Sequence, residues 1–374
     1  IPTVRMKKIL KDLEFKVAGG KKLAVQVPTF RPDIEREIDL IEEVARIDGY
    51  EKIMDSVKNI GPLYTPASPV EEFNLEIRQI LTGLGFDEIL GHGFTDSRLA
   101  KLVYPDKASV KIENPVSAEL DVMRNSLIPF ALNVVQHNLN FRTLNLRLFE
   151  IGKVYFPPDA KGDWVEEDRL LIIATGETIP NWRDKPRPLD YYDITGALTS
   201  LATHFRWPEF EFKESKINCF DDALSFSIFS GSSQAGQVGL LAGPIADKLD
   251  IKQKVYLVEM PLTQLMQSAK PLIEFSPLPI YPAAPRDLAI VVNESVKAAE
   301  IVQTIKEAAG PWAESVSIFD LYQGKQIETG RKSLAVSIVY RSPEGNLSTE
   351  QVERQQQLVI NNLKSKLNAE IRDK

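Results

Sequence analysis

Two proline-rich passages constrain how this chain of 374 residues can fold. Pro62, Pro66 and Pro69 form the first passage, and FSPLPIYPAAP at residues 275–285 forms the second. Proline fixes the backbone torsion φ and lacks an N–H donor, so such runs interrupt helices and sheets. We therefore predict an α+β multidomain chain with domains at residues 1–55, 56–270 and 280–374.

After the second passage, the hydrophobic pattern alternates between strand and helix periodicity. It predicts the order β-α-β-β-α-β, which is the ferredoxin-like plait. The elements are expected at residues 288–292, 298–309, 316–321, 333–340, 349–367 and 369–372.

The region between the two passages reads as mixed α/β. Helices are expected at residues 70–84, 127–141 and 193–204, and strands at residues 89–94, 146–155, 170–175 and 237–242. The single Cys219 excludes an internal disulfide, and P-loop, H-E-x-x-H and G-x-S-x-G motifs are absent from the sequence. We interpret Cys219 as a structural residue.

Carboxylates are concentrated in the first domain. A strand at residues 23–27 is followed by Asp33, which is placed to cap a helix predicted from Glu35 to Arg46. Ile38, Ile41 and Ala45 follow helical spacing on one arc, with the acids on the other. Asp39, Glu42 and Glu43 stand on neighbouring turns and repel one another unless a cation neutralises them, and Mg²⁺ prefers such oxygen ligands. A simply solvated acidic face is the alternative.

Charge and hydropathy narrow the classes of protein. The net charge of −7 argues against a strongly basic nucleic-acid binder. From residue 275 onward, acidic and basic residues balance, so RNA contact is more plausible there. The sequence has no apolar run long enough for a membrane helix and does not start with a signal peptide, so we expect a cytoplasmic protein without membrane contact.

The acidic segment resembles the B5 domain of bacterial phenylalanyl-tRNA synthetase β subunits. The resemblance rests on Arg31, Asp33 and Ile34 and on DLIEEVARIDGY at residues 39–50; Phe30 stands where the family usually has tryptophan. It implies that the four acids hold a Mg²⁺ shared with the catalytic α subunit. These acids are Asp33, Asp39, Glu42 and Glu43.

The C-terminal domain resembles the ferredoxin-fold anticodon-binding domain of the same family, through PRDLAIVV and FDLYQGKQIETGRKSLAVSIVY. Asp320 and Tyr322 lie two apart on one strand and so share a face, and Ser333 opens the return strand. An aromatic ring can stack on a base while the basic pair Arg331 and Lys332 meets phosphate. The resemblance implies that Asp320, Tyr322 and Ser333 approach the first anticodon base. A hairpin with no RNA role is the alternative.

The middle region resembles the family's catalytic-like module, through residues 113–140 and RLFEIGKVYF. This implies a class II synthetase-like antiparallel sheet flanked by helices. The arginine-bearing final motif of a working site is missing, which predicts a non-catalytic module. We expect Arg147 and Glu150 to form a buried ion pair and Arg124 to anchor the structure or a subunit interface.

Together these resemblances imply the C-terminal half of a β subunit, without the preceding tRNA-binding OB-like and editing domains. They imply an α2β2 heterotetramer that uses ATP to charge tRNA(Phe) with phenylalanine, in which this chain lacks the aminoacylation site. A free-standing RNA-binding or regulatory paralogue is the rival interpretation, and an enzyme active alone is a weaker one. The rival has no reason to keep four uncompensated acids, so the acids favour the synthetase interpretation.

Overall fold

The computed structural model describes residues 1–54, 68–270, 273, 275, 277–324 and 327–372. The chain forms two compact units, Ile1–Lys270 and Pro271–Lys374. The predicted boundary at residues 55 and 56, together with Pro62 and Pro66, lies outside the described residues. None of the described helices is both long and apolar enough to span a membrane.

The first unit begins with two helices and a hairpin. A small core between the two helices contains Ile9, Leu10, Phe15 and Val44. The predicted strand and acidic helix are confirmed, although the helix begins two residues later than expected. The elements are α1 (Thr3–Asp12), β1 (Lys16–Gly19), β2 (Leu23–Gln26) and α2 (Glu37–Asp48).

The rest of the first unit is a helix-covered sheet. The helix α3 begins at Pro69, where the missing N–H group of proline is harmless. The elements are α3 (Pro69–Gly83), β3 (Asp87–Glu88), β4 (Phe94–Thr95), α4 (Ser97–Val103), β5 (Val122–Met123), α5 (Ile128–Asn140), β6 (Leu146–Phe156), β7 (Val165–Thr175), α6 (Tyr191–Phe205), β8 (Phe210–Glu214), β9 (Phe220–Ser230), β10 (Ser233–Leu241), α7 (Gly243–Lys248), β11 (Val255–Pro261) and α8 (Leu262–Ser268).

Helices cover both faces of the large sheet. Within residues 68–270 its strand order is β3-β6-β7-β11-β10-β9-β8, antiparallel except for the pair β3–β6. Along β7, Leu170 and Ile172 join a core with α3 and α6, whereas Leu171 and Ile173 join a core with α5 and α7. A strand buried on both faces is apolar throughout, which is why this one was predictable.

One sequence prediction in this unit is wrong, and one long strand was not predicted. The strand expected at residues 89–94 is wrong, because Gly91 and Gly93 lie in an irregular connection between β3 and β4. The long strand β9 was missed, although Phe226 and Ile228 alternate with serines in the period-two pattern of a strand.

The second unit confirms the ferredoxin-like order. Its strands pair antiparallel in the order β13-β14-β12-β15 within residues 277–324 and 327–372. Both helices pack on one face of the sheet, against Ile290, Val336 and Ile338. We call the other face the open face. The elements are β12 (Ala284–Asn293), α9 (Ala298–Ala309), β13 (Ala313–Tyr322), β14 (Arg331–Tyr340), α10 (Thr349–Leu367) and β15 (Glu370–Arg372).

Candidate functional site

The start of α2 is held by Asp39. Its carboxylate accepts hydrogen bonds from the backbone N–H groups of Glu35 at 2.9 Å and Arg36 at 2.7 Å. These bonds lower the pKa of Asp39 below its ordinary value, with the Arg36 bond contributing most. The prediction that Asp33 caps this helix is wrong, because the chain makes a further turn after Pro32 and the cap position falls on Arg36.

Arg31 binds two of the four predicted metal ligands at once. Its Nη2 atom lies 2.7 Å from Oδ2 of Asp33 and 3.1 Å from Oε1 of Glu43. Arg46 donates a further bond to Oε2 of Glu43 at 2.6 Å. The hydrogen bonds from Arg31 are the main reason that the pKa values of Asp33 and Glu43 lie below their ordinary range. The expectation of four uncompensated acids is therefore wrong for this pair.

The four acids consequently do not form one cluster. Asp33 and Glu43 share an arginine, the carboxylate of Asp39 is bound by backbone, and Glu42 is exposed. Among the described residues, no three acidic, histidine or cysteine side chains are grouped so that they could hold a metal ion. As arranged, these side chains do not fit a Mg²⁺ ion held by this chain alone, and the Mg²⁺ role remains a prediction.

The exposed face of α2 differs from the simple helical pattern. Ile38 and Ile41 are 57% and 54% exposed, whereas Glu43 and Val44 are buried. A carboxylate turns inward here because two arginines neutralise it, and burying a charge is tolerable only when it is paired. The arc on which Ile38 and Ile41 lie is therefore an exposed surface rather than the core-facing side.

Strand register brings the predicted RNA-contacting side chains together. Tyr322 pairs with Ser333, and Asp320 pairs with Ala335. Directly paired residues point to the same face, so these side chains all lie on the open face. A β-bulge at Phe319 separates this end of β13 from Ile318, which pairs with Val336 on the helix-covered face. Tyr322 is 40% exposed, while Ser333 is 8% exposed.

The predicted basic pair is divided between the two faces. Arg331 lies on the open face, where its Nη1 atom bonds Glu370 at 2.6 Å. Lys332 projects to the other side, because neighbouring strand residues alternate, and its Nζ atom donates to the carbonyl oxygen of Glu294 at 2.8 Å. The two cations therefore cannot meet one phosphate together.

The middle sheet contains a buried ion pair, but with a partner other than the predicted one. Glu150 accepts a bond from Nη1 of Arg124 at 2.6 Å. The predicted pair of Arg147 with Glu150 is wrong, because residues three apart on a strand project to opposite faces. A Cβ atom at Gly152 would lie 2.3 Å from Nη2 of Arg124, so only glycine leaves room for this arginine. Arg124 thus anchors the structure, as expected.

A second buried carboxylate lies on the same side of this sheet. Glu259 accepts bonds from Ser126 Oγ, the Leu127 backbone N–H and Arg169 Nη1, at 2.6, 2.7 and 2.7 Å. The sequence carried no signal for this network, because Ser126 and Glu259 are distant along the chain. Burial raises the pKa of Cys219 to about 12, which agrees with a structural rather than a reactive thiol.

The chain contains, in this order, a segment with an acidic helix, a sheet covered by helices and a ferredoxin-like domain. This combination defines a class of tRNA synthetase-related chains. The chain belongs to the phenylalanyl-tRNA synthetase β-chain family. The profile described as the phenylalanyl tRNA synthetase beta chain CLM domain matches residues 57–262. The tRNA synthetase B5 domain matches residues 1–50, and the ferredoxin-fold anticodon binding domain matches residues 279–372.

Curated relatives support the same family. The chain is 32% identical over 349 residues to a phenylalanine–tRNA ligase β subunit of Thermotoga maritima, covering 92% of this chain and 44% of the relative. It is also 32% identical to the β subunit of Geobacter sulfurreducens, covering 98% of this chain and 47% of the relative. The chain therefore spans about half the length of the curated relatives it matches.

Proposed function

We propose that this chain is the scaffolding and tRNA-anchoring part of a phenylalanine–tRNA ligase β subunit. In an α2β2 enzyme, the α subunit would use ATP to charge tRNA(Phe), and this chain would hold α and the anticodon end of the tRNA. The observation that carries the proposal is that all three family domains match in order along the chain. The cytoplasm is the compartment in which such an enzyme would work.

The middle module supports a role without chemistry of its own. Helices cover both faces of its sheet, and internal donors already bind both carboxylate oxygens of its buried Glu259. Binding of ATP phosphates usually uses an arginine, and the arginine-bearing final motif expected of a working class II site is missing from the sequence. We therefore assign this module to positioning the α subunit.

The open face of the C-terminal sheet supports tRNA binding. It presents the ring of Tyr322 beside the carboxylate of Asp320, on a strand held by β14. A ring on a rigid strand can stack on an unpaired base, and a nearby carboxylate can accept hydrogen bonds from its edge. We propose that Ser333 and Arg331 border this contact, and that Lys332 on the opposite face contributes little.

The exposed arc of α2 supports docking of the α subunit. Ile38 and Ile41 present apolar surface beside Glu42 at the predicted subunit contact. The shared Mg²⁺ remains a proposal for the assembled enzyme only, because the isolated chain does not group the necessary ligands. Helix residues of this kind favour association by removing apolar area from water.

The test is co-expression of this chain with the α subunit of its own organism, followed by purification and a charging assay with tRNA(Phe), phenylalanine and ATP. A stable complex that charges tRNA is the expected result. Replacing Ile38 and Ile41 by serine should weaken the complex, whereas Leu358→Ser, at an exposed helix position in the other unit, should not. The proposal would be overturned if the chain formed no complex with the α subunit and did not bind tRNA.

A free-standing RNA-binding paralogue is the second candidate. The observation that favours it is the arginine pairing of Asp33 and Glu43, because acids that are neutralised internally need no partner subunit. In that case the chain would bind tRNA alone with its full affinity and would form no complex with α. The co-expression experiment distinguishes the two candidates directly.

A further inference from the structure

Arg31 connects two parts of the acidic segment. It lies in the connection between β2 and α2, bonds Asp33 in the same connection, and reaches Glu43 in the second turn of α2. Its Nε atom is 3.0 Å from Oδ1 of Asp33 while Nη2 is 2.7 Å from Oδ2, so the carboxylate is held by two parallel bonds. We call this unit of three residues the arginine bridge.

The arginine bridge is neutral together with its neighbour Arg46. Two carboxylates, Asp33 and Glu43, face two guanidinium groups. Arg31 is paired with both carboxylates, and Arg46 is paired with Glu43. The ring of Phe15 lies 5.9 Å from the Arg31 guanidinium carbon and forms part of its surroundings. Buried Glu43 therefore has its counter-charge within the chain, and no outside cation is required to keep it ionised.

We propose that Arg31 is a built-in counterion that takes the place of a divalent cation between Asp33 and Glu43. The Arg31 guanidinium donates to both carboxylates and lies between them, where an ion bridging the pair would have to sit. Two cations in that place repel each other, so metal binding between Asp33 and Glu43 requires Arg31 to move away. This inference concerns residues of this chain alone and does not depend on the ligase function.

The test compares Mn²⁺ binding by electron paramagnetic resonance, with Mn²⁺ as a probe for Mg²⁺, in the whole chain and its variants. The wild-type chain should bind weakly, and its melting temperature should not change with millimolar Mg²⁺. Arg31→Gln should bind Mn²⁺ about tenfold more tightly or better, because a competing cation is removed from beside the two carboxylates; groups next to metal ligands change affinity by about this factor. Its melting temperature should then rise with Mg²⁺.

Arg46→Gln is the matched control, because it removes one bond to Glu43 but leaves the arginine bridge intact. It should not gain Mn²⁺ affinity. The double variant Arg31→Gln with Asp33→Asn should lose the gain, which places the new binding on the released carboxylate. Equal Mn²⁺ affinity in wild type and Arg31→Gln would overturn the proposal.

Arg31→Lys tests the same proposal if Arg31→Gln does not fold. A lysine keeps the charge but lacks the planar fork that holds both carboxylates. Arg31→Lys should therefore gain less Mn²⁺ affinity than Arg31→Gln, and its melting temperature should respond to Mg²⁺. Mn²⁺ affinity identical to that of the wild type would exclude Arg31 as the group that competes with the metal.

Discussion

The acidic segment and the open face of the C-terminal sheet both carry residues predicted to bind partners, but their polar groups are used differently. In the acidic segment, Arg31 and Arg46 bind Asp33 and Glu43. On the open face, the side chains of Asp320 and Tyr322 make no hydrogen bond or ion pair with any residue that the structure describes.

This difference shows how to separate a structural charge from a charge available for recognition. A carboxylate already bound by guanidinium groups has its charge neutralised and fewer acceptor sites free, so it is less suited to be a first contact. A polar side chain held on a paired strand without a partner loses little on meeting a ligand. By this criterion, Asp320 and Tyr322 are better suited than Asp33 and Glu43 to make a first contact with a ligand, and the RNA and metal roles remain proposals.

The largest expected effect concerns a charge that is purely structural. Glu259→Ala should lower the free energy of unfolding by about 3–5 kcal/mol, because it leaves the partly buried Arg169 without its fully buried carboxylate partner. Chemical denaturation of the whole chain measures this loss. Glu167→Ala, which removes the more exposed partner of Arg169, is the control and should cost far less. Equal losses of unfolding free energy in the two variants would show that the buried carboxylate contributes no more to stability than the exposed one.

The next effect tests the open face. Tyr322→Ala should weaken binding of an RNA hairpin with the tRNA(Phe) anticodon loop by about 1–3 kcal/mol, because a stacking ring is lost. Fluorescence anisotropy gives the affinity. Tyr322→Phe keeps the ring and should retain most of the affinity. Leu321→Ala, which lies on the opposite face of β13, is the control for general damage to the strand. Unchanged affinity in Tyr322→Ala would remove the RNA role of this face.

A smaller effect is expected when the pH is lowered, because protonation of Asp33 and Glu43 weakens the arginine bridge. Asp33 and Glu43 have lowered pKa values, mainly because of their bonds to Arg31. A carboxyl with a lower pKa in the folded state adds stability above its unfolded pKa and loses it as pH falls through the folded pKa. Hydrogen-exchange protection of α2, corrected for intrinsic rates, should therefore decrease below about pH 4.

Arg31→Gln provides the comparison for this acid effect. Without the guanidinium, the pKa values of the two carboxyl groups return towards their ordinary range, and most of the extra acid sensitivity should disappear. Protection that falls equally with pH in both proteins would show that the arginine bridge does not stabilise α2.

The smallest effect distinguishes the two neighbouring cations. If RNA phosphate lies over the open face, Arg331→Gln should reduce the slope of log affinity against log salt concentration by about 1. Lys332→Gln, on the other face, should leave the slope unchanged. The measurement repeats the anisotropy titration at several salt concentrations. The reverse result would place the RNA on the helix-covered side.

Sequence patterns predicted those parts that depend on neighbouring residues. The order of the ferredoxin-like elements and the shared face of Asp320 and Tyr322 follow from local periodicity. The pairing of Arg124 with Glu150 was not predictable, because the partners lie on different elements. The inward position of Glu43 was hidden for the same reason: it depends on Arg31, twelve residues away in the connection before the helix.

The β-bulge at Phe319 makes the sheet unusually sensitive to chain length. One extra residue there reverses which face the following side chains occupy, so Asp320 and Tyr322 point away from the helices while Ile318 points towards them. Deleting this single residue would keep the strand's composition almost intact and yet turn both side chains to the helix-covered side of the sheet. A substitution in β13 changes one side chain, whereas shortening the strand at this position exchanges its two surfaces.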